Sequence, residues 1–400
     1  MPQTRRRVFP GTPCYDAPRS PALLGRQDGG RMADRRIGVG IVGYGLAGRI
    51  FHATLIRHVP AMKVVAVVTR DDARRANAKS DHPEARLHAT PEALFADDGV
   101  DVVVIATPHD THLPLTLAAT AAGKHVICDK VMCLDADEGE QMCAAAEAAG
   151  VLLSVFQNRR WDADYLTVQD VLARGLVGEP FVIESCVTGY RLTPGYKLPS
   201  GDLPRAWRTY AEFGGGPFRD WGAHLLDQAV QLAGDTPLRV HADFQYRRDW
   251  DVETAGTALL TYAGPDGRIG DGLRYVVEVG NISAIARPRW YIRGSEGAYL
   301  QYGRDAQEAA LHRGEVGPRP MDPENAPRLV RDVSGTMQDV PFEGKSGNYL
   351  AYYENVAEAI RGEATLAVTG RSVLPSIRII DAAMRSASTG SVVMPAAARA

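Results

Sequence analysis

The chain has 400 residues, enough for two domains with separate cores, and its 45% hydrophobic and 23% charged residues are ordinary for a globular protein. A formal net charge of -3 offers no global attraction to nucleic acid or anionic lipid. No apolar run approaches the roughly 20 residues that span a bilayer, so the expected partners are small molecules and further copies of the chain, with no nucleic acid and no membrane.

Residues 1–32 are rich in proline, glycine and arginine and carry no apolar period, which predicts a disordered leader. Its opening, MPQTRRRVFPGTPCYDAP, has basic residues with no apolar stretch behind them and does not read as a secretory signal. Met32 opens the cleaner stretch MADRRIGVGIVGYG and is an expected alternative start. From residue 37 the runs IGVGIVG, KVVAVVT, VDVVVIAT, KHVICDK and VLLSVFQ have strand length, and the alanine-rich LPLTLAATAAG and DADEGEQMCAAAEAAG lie between them as helices. Continuously apolar strands alternating with helices predict a parallel sheet covered on both faces, an α/β domain over 33–155.

Residues 156–400 change character. A helix is expected around 217–233, and LRVHADFQYR, TAGTALLTYA, GLRYVVEVG and RPRWYIRGSEGAYLQYG then show β-branched and aromatic residues with partial alternation. GSEG reads as a hairpin turn, and helices near 348–361 and 372–388 close the chain. These features predict an α+β domain on a large, mainly antiparallel open sheet. The cysteines are Cys14, Cys128, Cys133, Cys143 and Cys186, an odd number with no C-x-x-C pair. That usage predicts reduced thiols in a cytoplasmic protein and no metal site.

GYGLAG directly follows the first strand and opens a helix, the setting of a dinucleotide-binding Rossmann loop. Gly43 permits the tight turn, Gly45 the approach of a pyrophosphate and Gly48 close helix–strand packing, with Leu46 and Ala47 between them at the helix start. About 20 positions on, where an acid would meet the ribose of NAD, the chain has Thr69 and Arg70. A hydroxyl and a guanidinium there favour NADP(H) over NAD(H), the alternative being that Asp71 meets the ribose. TPHDTH ends a strand at Pro108, so Thr107, Pro108, His109 and His112 are candidate nicotinamide contacts, unless the histidines simply begin the next helix. CDK places Asp129 and Lys130 at a strand's carboxyl end, where parallel sheets bind ligands; a lysine there can stabilise a developing alkoxide, or it is a surface residue. In GGGPFRDWGAHLLDQ, Asp220, His224 and Asp227 share one helical face at i, i+4 and i+7.

These motifs, in this order, resemble the Gfo/Idh/MocA family of nicotinamide-dependent oxidoreductases over roughly residues 35–395. FQNRRWDADYLTVQ, YIRGSEGAYLQYGRDAQEAAL and NYLAYYENVAEAI with RIIDAAM are similar to its NADP-dependent scyllo-inositol dehydrogenase branch. The resemblance implies a Rossmann domain followed by an α+β domain, and homodimers or homotetramers joined through the second sheet. It implies a catalytic set of Lys130, Asp220 and His224, and it departs from the family's Glu-Lys-Pro at Asp129-Lys130-Val131. The expected reaction is hydride transfer between NADP(H) and a secondary alcohol of a polyol, cyclitol or sugar. His224 is the expected base, Asp220 orients it or binds a hydroxyl, and Lys130 steadies the oxygen. Asn158 and Arg159 are expected substrate contacts, with salt bridging by Arg159 and Arg160 as the alternative, and Asp227 is expected to be structural. Two other readings stay open: a cofactor-retaining oxidation and elimination on glycosides, and a non-catalytic sensor.

Overall fold

The computed structural model describes residues 35–190, 207–234, 236–246, 251–264, 270 and 272–395. The expected leader, Met32, Cys14 and residues 191–206 of the proline-rich segment lie outside them.

Six strands form the first sheet: β1 (Ile37–Val42), β2 (Met62–Val68), β3 (Arg86–His88), β4 (Val102–Ile105), β5 (His125–Cys128) and β6 (Leu153–Val155). They are all parallel, in the order β3-β2-β1-β4-β5-β6. β1 and β4 are buried along their whole length, as continuous Ile and Val runs require when helices cover both faces. β3 has no apolar run, since its sequence is RLH and it is partly exposed, so hydrophobic patterning alone does not reveal it. The strand order reverses between β1 and β4, which opens a ligand crevice at the carboxyl ends of these two strands.

The second sheet holds β7 (Pro180–Thr188), β8 (Arg239–Tyr246), β9 (Glu253–Thr261), β10 (Arg274–Gly280), β11 (Trp290–Gly294), β12 (Gly297–Gln301), β13 (Arg328–Val333) and β14 (Thr336–Val340). Its order is β14-β13-β12-β11-β7-β10-β9-β8, antiparallel throughout except where β7 pairs β10. GSEG forms the expected β11–β12 turn. β14 is exposed along most of its length, which hides it from any search for apolar runs. The helix Pro217–Ala233 packs on β9 and β10, and the helix Gly370–Thr389 packs on β8, on Pro217–Ala233 and on the first sheet's helix Ala136–Ala149. The helix Leu350–Arg361 is also present. Cys128, Cys133, Cys143 and Cys186 are buried and free. Among the described residues, no helix is long and apolar enough to cross a membrane.

Two buried histidines tie the loops around the crevice together. His109 Nδ1 donates to Gly214 O at 2.9 Å, and its Nε2 accepts from Val131 N at 3.2 Å. His112 places Nδ1 2.8 Å from Val131 O and Nε2 3.1 Å from Thr107 O. Their exposures are 1% and 0%, so both rings are enclosed by protein in this structure. Each begins a helical segment and joins the β4 loop to the β5 turn. Burial pushes His109 down to about 3 and also lowers His112. An imidazole depressed in the fold leaves stability unchanged above its unfolded pKa of about 6.5. Stability falls below that value, by about 1.4 kcal/mol per pH unit and ring. The thermal midpoint is expected to drop as pH falls from about 7 to about 5. In His109→Gln, which retains a donor and an acceptor, that slope should be shallower.

Candidate active site

The glycine loop packs so closely that two of its positions admit no side chain. At Gly43, with φ 95°, a Cβ would lie 2.3 Å from Ala106 O, and at Gly48 one would lie 2.0 Å from Gly43 O. No side chain fits at either, so the helix beginning at Ala47 is pressed onto the strand ends, with Arg49 N bonded to Gly45 O at 2.9 Å. Over Gly45 lies the Arg74 guanidinium, whose Nη1 is 3.6 Å from a Cβ built there. Leu46 is 54% exposed at the rim. This cradle fits a nicotinamide dinucleotide held through its pyrophosphate.

At the end of β2, Thr69 is buried and Arg70 exposed. Asp71 Oδ1 accepts from Arg74 N at 2.9 Å and caps the helix Asp72–Asp81. Arg74 was not among the sequence candidates. Its signal was there to find, because it follows Arg70 by four positions on the helix that leaves the strand. On the neighbouring loop the Thr107 hydroxyl and Thr111 Oγ1 are 2.6 Å apart, and Thr111 donates to Pro108 O at 2.6 Å. That loop touches Gly43 through the Thr107 methyl.

The candidate catalytic groups Lys130 and Asp220 meet between the two sheets. Lys130 Nζ, just beyond β5, donates to Asp220 O at 3.0 Å and to Asp220 Oδ1 at 2.5 Å. Arg208 Nε lies 3.8 Å from the same oxygen. Burial alone would raise the Asp220 carboxyl, but Lys130 and Arg208 hold it well below the usual carboxylate range. The Lys130–Val131 peptide bond is cis. Asp129, 7% exposed, accepts from Lys130 N at 2.8 Å and lies 3.8 Å from His52 Nε2. Burial opposes its ionisation, yet His52 and Lys130 bring its pKa to about 2. Asp129 therefore shapes the turn that carries Lys130.

His224, one helical turn after Asp220, is 4% exposed. Its Nδ1 donates at 2.8 Å to Gln157 Oε1, while Gln157 Nε2 donates to Ala223 O at 3.3 Å. Gln157, at the end of β6, thus orients the imidazole, where the sequence pointed to Asp220. Only a fold that lays β6 against the helix makes that pair visible. Burial, reinforced by Lys130 and Arg159, pushes His224 well below the ordinary imidazole value, so the ring is neutral and Nε2 is an acceptor.

The glycines before this helix have a specific cause. At Gly216, with φ 108°, a Cβ would lie 2.4 Å from Glu253 Oε1, and that oxygen accepts from Phe218 N at 2.7 Å. A buried carboxylate from β9 therefore caps the helix, with Pro217 at the first helical position where no N–H is needed.

Asn158 and Arg159 lie in the turn Asn158–Trp161 and are 3% and 7% exposed. Arg159 donates to Tyr349 OH at 3.1 Å, Asp162 Oδ2 at 3.3 Å and Glu308 Oε2 at 2.5 Å, and lies 4.4 Å over the Trp221 ring. Arg160, which is half-buried, binds Asp227 through two 2.7 Å bonds, so Asp227 is engaged in a salt bridge within the fold, while Arg159 is buried. Behind Arg159, carboxylate oxygens of Asp162, Asp164 and Asp305 lie within 4.8 Å of one another. Each takes protein donors: Tyr349 on Asp162, Trp290 and Arg289 on Asp164, and Ala163 N and Gln307 N on Asp305.

Comparison with known proteins follows the same division of the chain. Residues 37–157 match the model described as "Oxidoreductase family, NAD-binding Rossmann fold", and residues 165–300 match "GFO/IDH/MocA C-terminal domain". The uncharacterized oxidoreductase YdgJ of Escherichia coli is 33% identical over 368 residues, 89% of this chain and 97% of its own. The scyllo-inositol 2-dehydrogenase (NADP(+)) IolW of Bacillus subtilis is 32% identical over 372 residues, 91% and 98% of the two chains. The structure of YPO2259 from Yersinia pestis is similar with a TM-score of 0.79 and 31% identity, covering 92% of this chain and 99% of the other. With the glycine cradle and the Lys130, Asp220 and His224 constellation, these matches establish that the chain belongs to the Gfo/Idh/MocA family and is an oxidoreductase with a nicotinamide-binding Rossmann fold.

Proposed function

We propose that this enzyme transfers a hydride reversibly between NADP(H) and a secondary alcohol or ketone of a polyol, cyclitol or sugar, with scyllo-inositol and its inosose as the model pair. The observation that carries the reading is the 2.5 Å Lys130–Asp220 pair beside a neutral His224, at the carboxyl edge of the parallel sheet. The bound cofactor supplies the hydride acceptor or donor. His224 Nε2 takes the hydroxyl proton on oxidation, since Nδ1 is held by Gln157 and only Nε2 is left to accept. Lys130 Nζ stabilises the negative oxygen that develops, and Asp220 keeps the ammonium aimed. Asn158 and Arg159 are assigned to the substrate side.

NADP(H) is favoured because no acid stands at Thr69, Asp71 is occupied at its helix cap, and Arg70 and Arg74 lie where a ribose phosphate is expected. The name of the NADP(+)-dependent relative agrees with this reading. We assign cofactor binding to residues 33–155, and substrate binding and subunit association through the second sheet to residues 156–400. The four free cysteines support a reducing, cytoplasmic location.

His224→Ala and Lys130→Ala are each expected to keep NADPH affinity and lose about 10² to 10⁴ in kcat, read from the reduced-nicotinamide absorbance with inositols, inososes and aldoses. Full activity in either variant overturns the assignment. Arg74→Ala is expected to weaken NADPH binding about tenfold, or ~1.4 kcal/mol, and NADH binding far less, as measured by fluorescence titration. A wild type that prefers NADH overturns the cofactor assignment.

A further inference from the structure

Glu308 was not a sequence candidate, yet the fold delivers it to the cleft. It lies in the first turn of the helix Gln307–His312. That helix comes from the second half of the chain and packs on Ala47–Ala53 of the dinucleotide loop, with the Phe51 and His312 rings edge to face at 6.4 Å. The Glu308 side chain is 34% exposed, whereas that of Arg159, which holds it, is 8% exposed. Arg159 is fixed from behind by Asp162 and Tyr349, and it takes one Glu308 oxygen at 2.5 Å. The second carboxylate oxygen receives no hydrogen bond from a described residue.

The surroundings keep this group anionic. Burial would raise the carboxyl, but Arg159, Arg304 and Lys130 lower it below its ordinary range, so it stands in the field of the catalytic lysine. Arg159 and Arg304 also lie over the indole of Trp221, at 4.4 and 5.1 Å, and Trp221 is the residue between Asp220 and the turn that presents His224. The clamped carboxylate is therefore joined to the helix of the proton-handling pair through Arg159 and the Trp221 indole. An ionised carboxylate only accepts, so its open oxygen suits a hydroxyl donor and repels a phosphate or carboxylate at the same position.

We propose that Glu308 is a substrate-binding residue: its open oxygen accepts from a ring hydroxyl remote from the reacting carbon, and Arg159 sets its plane, selecting neutral polyols over anionic sugars. This inference rests on the polyol reading above.

The test is steady-state kinetics of wild type and Glu308→Gln with NADP+ and scyllo-inositol, myo-inositol or an aldose, whichever the wild type turns over, alongside NADPH titration and thermal unfolding. The expected result is a KM raised about tenfold or more, a smaller change in kcat, and unchanged NADPH affinity and thermal midpoint. A KM equal to wild type overturns the inference, as does a parallel loss of NADPH affinity and stability, which would make Glu308 a strut. If Glu308→Gln does not fold, the wild type and a series of monodeoxy analogues decide. One deoxy position remote from the reacting carbon should lower kcat/KM about tenfold, and no such position overturns the inference. A wild type inactive on the whole panel overturns the polyol reading and this inference together, whereas an active wild type with an unaffected variant overturns this inference alone.

Discussion

The site depends on a buried ion pair that joins the two halves of the molecule. Lys130 sits at the end of a parallel strand and Asp220 on a helix that lies against the second sheet, and their side chains are 17% and 13% exposed. Desolvating both charges costs several kcal/mol, which the attraction offsets only when geometry and additional hydrogen bonds are good. Support comes from both sides. Asp129 and His109 hold the backbone around the lysine turn, and Glu253 caps the helix that carries the aspartate. Remove any of these and one charge of the pair is left poorly matched.

Much of this was legible in the sequence where the signal is local. The close packing at Gly43 and Gly48 was legible because their spacing reflects contacts within one strand–helix turn. Asp220 and His224 read as neighbours because helical periodicity puts them there. The expected strands and helices are present, and β3 and β14 escaped because they are short or exposed. Gln157 and Glu308 were illegible for another reason. Gln157 is 67 residues from His224, and Glu308 is 149 from Arg159, so nothing short of the tertiary fold pairs them. His109 and His112 show the limit of local reading: a histidine after a strand looks the same whether it faces a ligand or, as here, backbone oxygens and an amide.

The side chains of the candidate site are divided along the same lines. The first sheet supplies the glycine loop and Lys130, and the second half supplies His224, the helix cap at Glu253 and the carboxylate at Glu308. Gln157 stands at the seam, one residue after Phe156, whose N–H bonds the backbone of β5. The His224 imidazole is thus held by a residue that follows the last strand of the first sheet.

The helix Gly370–Thr389 ties distant stretches of the chain together. It packs on the helix that bears Asp220 and His224, and it also reaches back to the first sheet's helix Ala136–Ala149, where Arg371 pairs with Glu147 at 2.8 Å across 224 residues and Arg378 pairs with Glu140 across 238. Contacts of such separation close long loops, at an entropic cost that grows only slowly with loop length. The outer support of the Asp220 and His224 helix is therefore non-local, and a substitution at Arg371 or Arg378 reaches that helix without touching it.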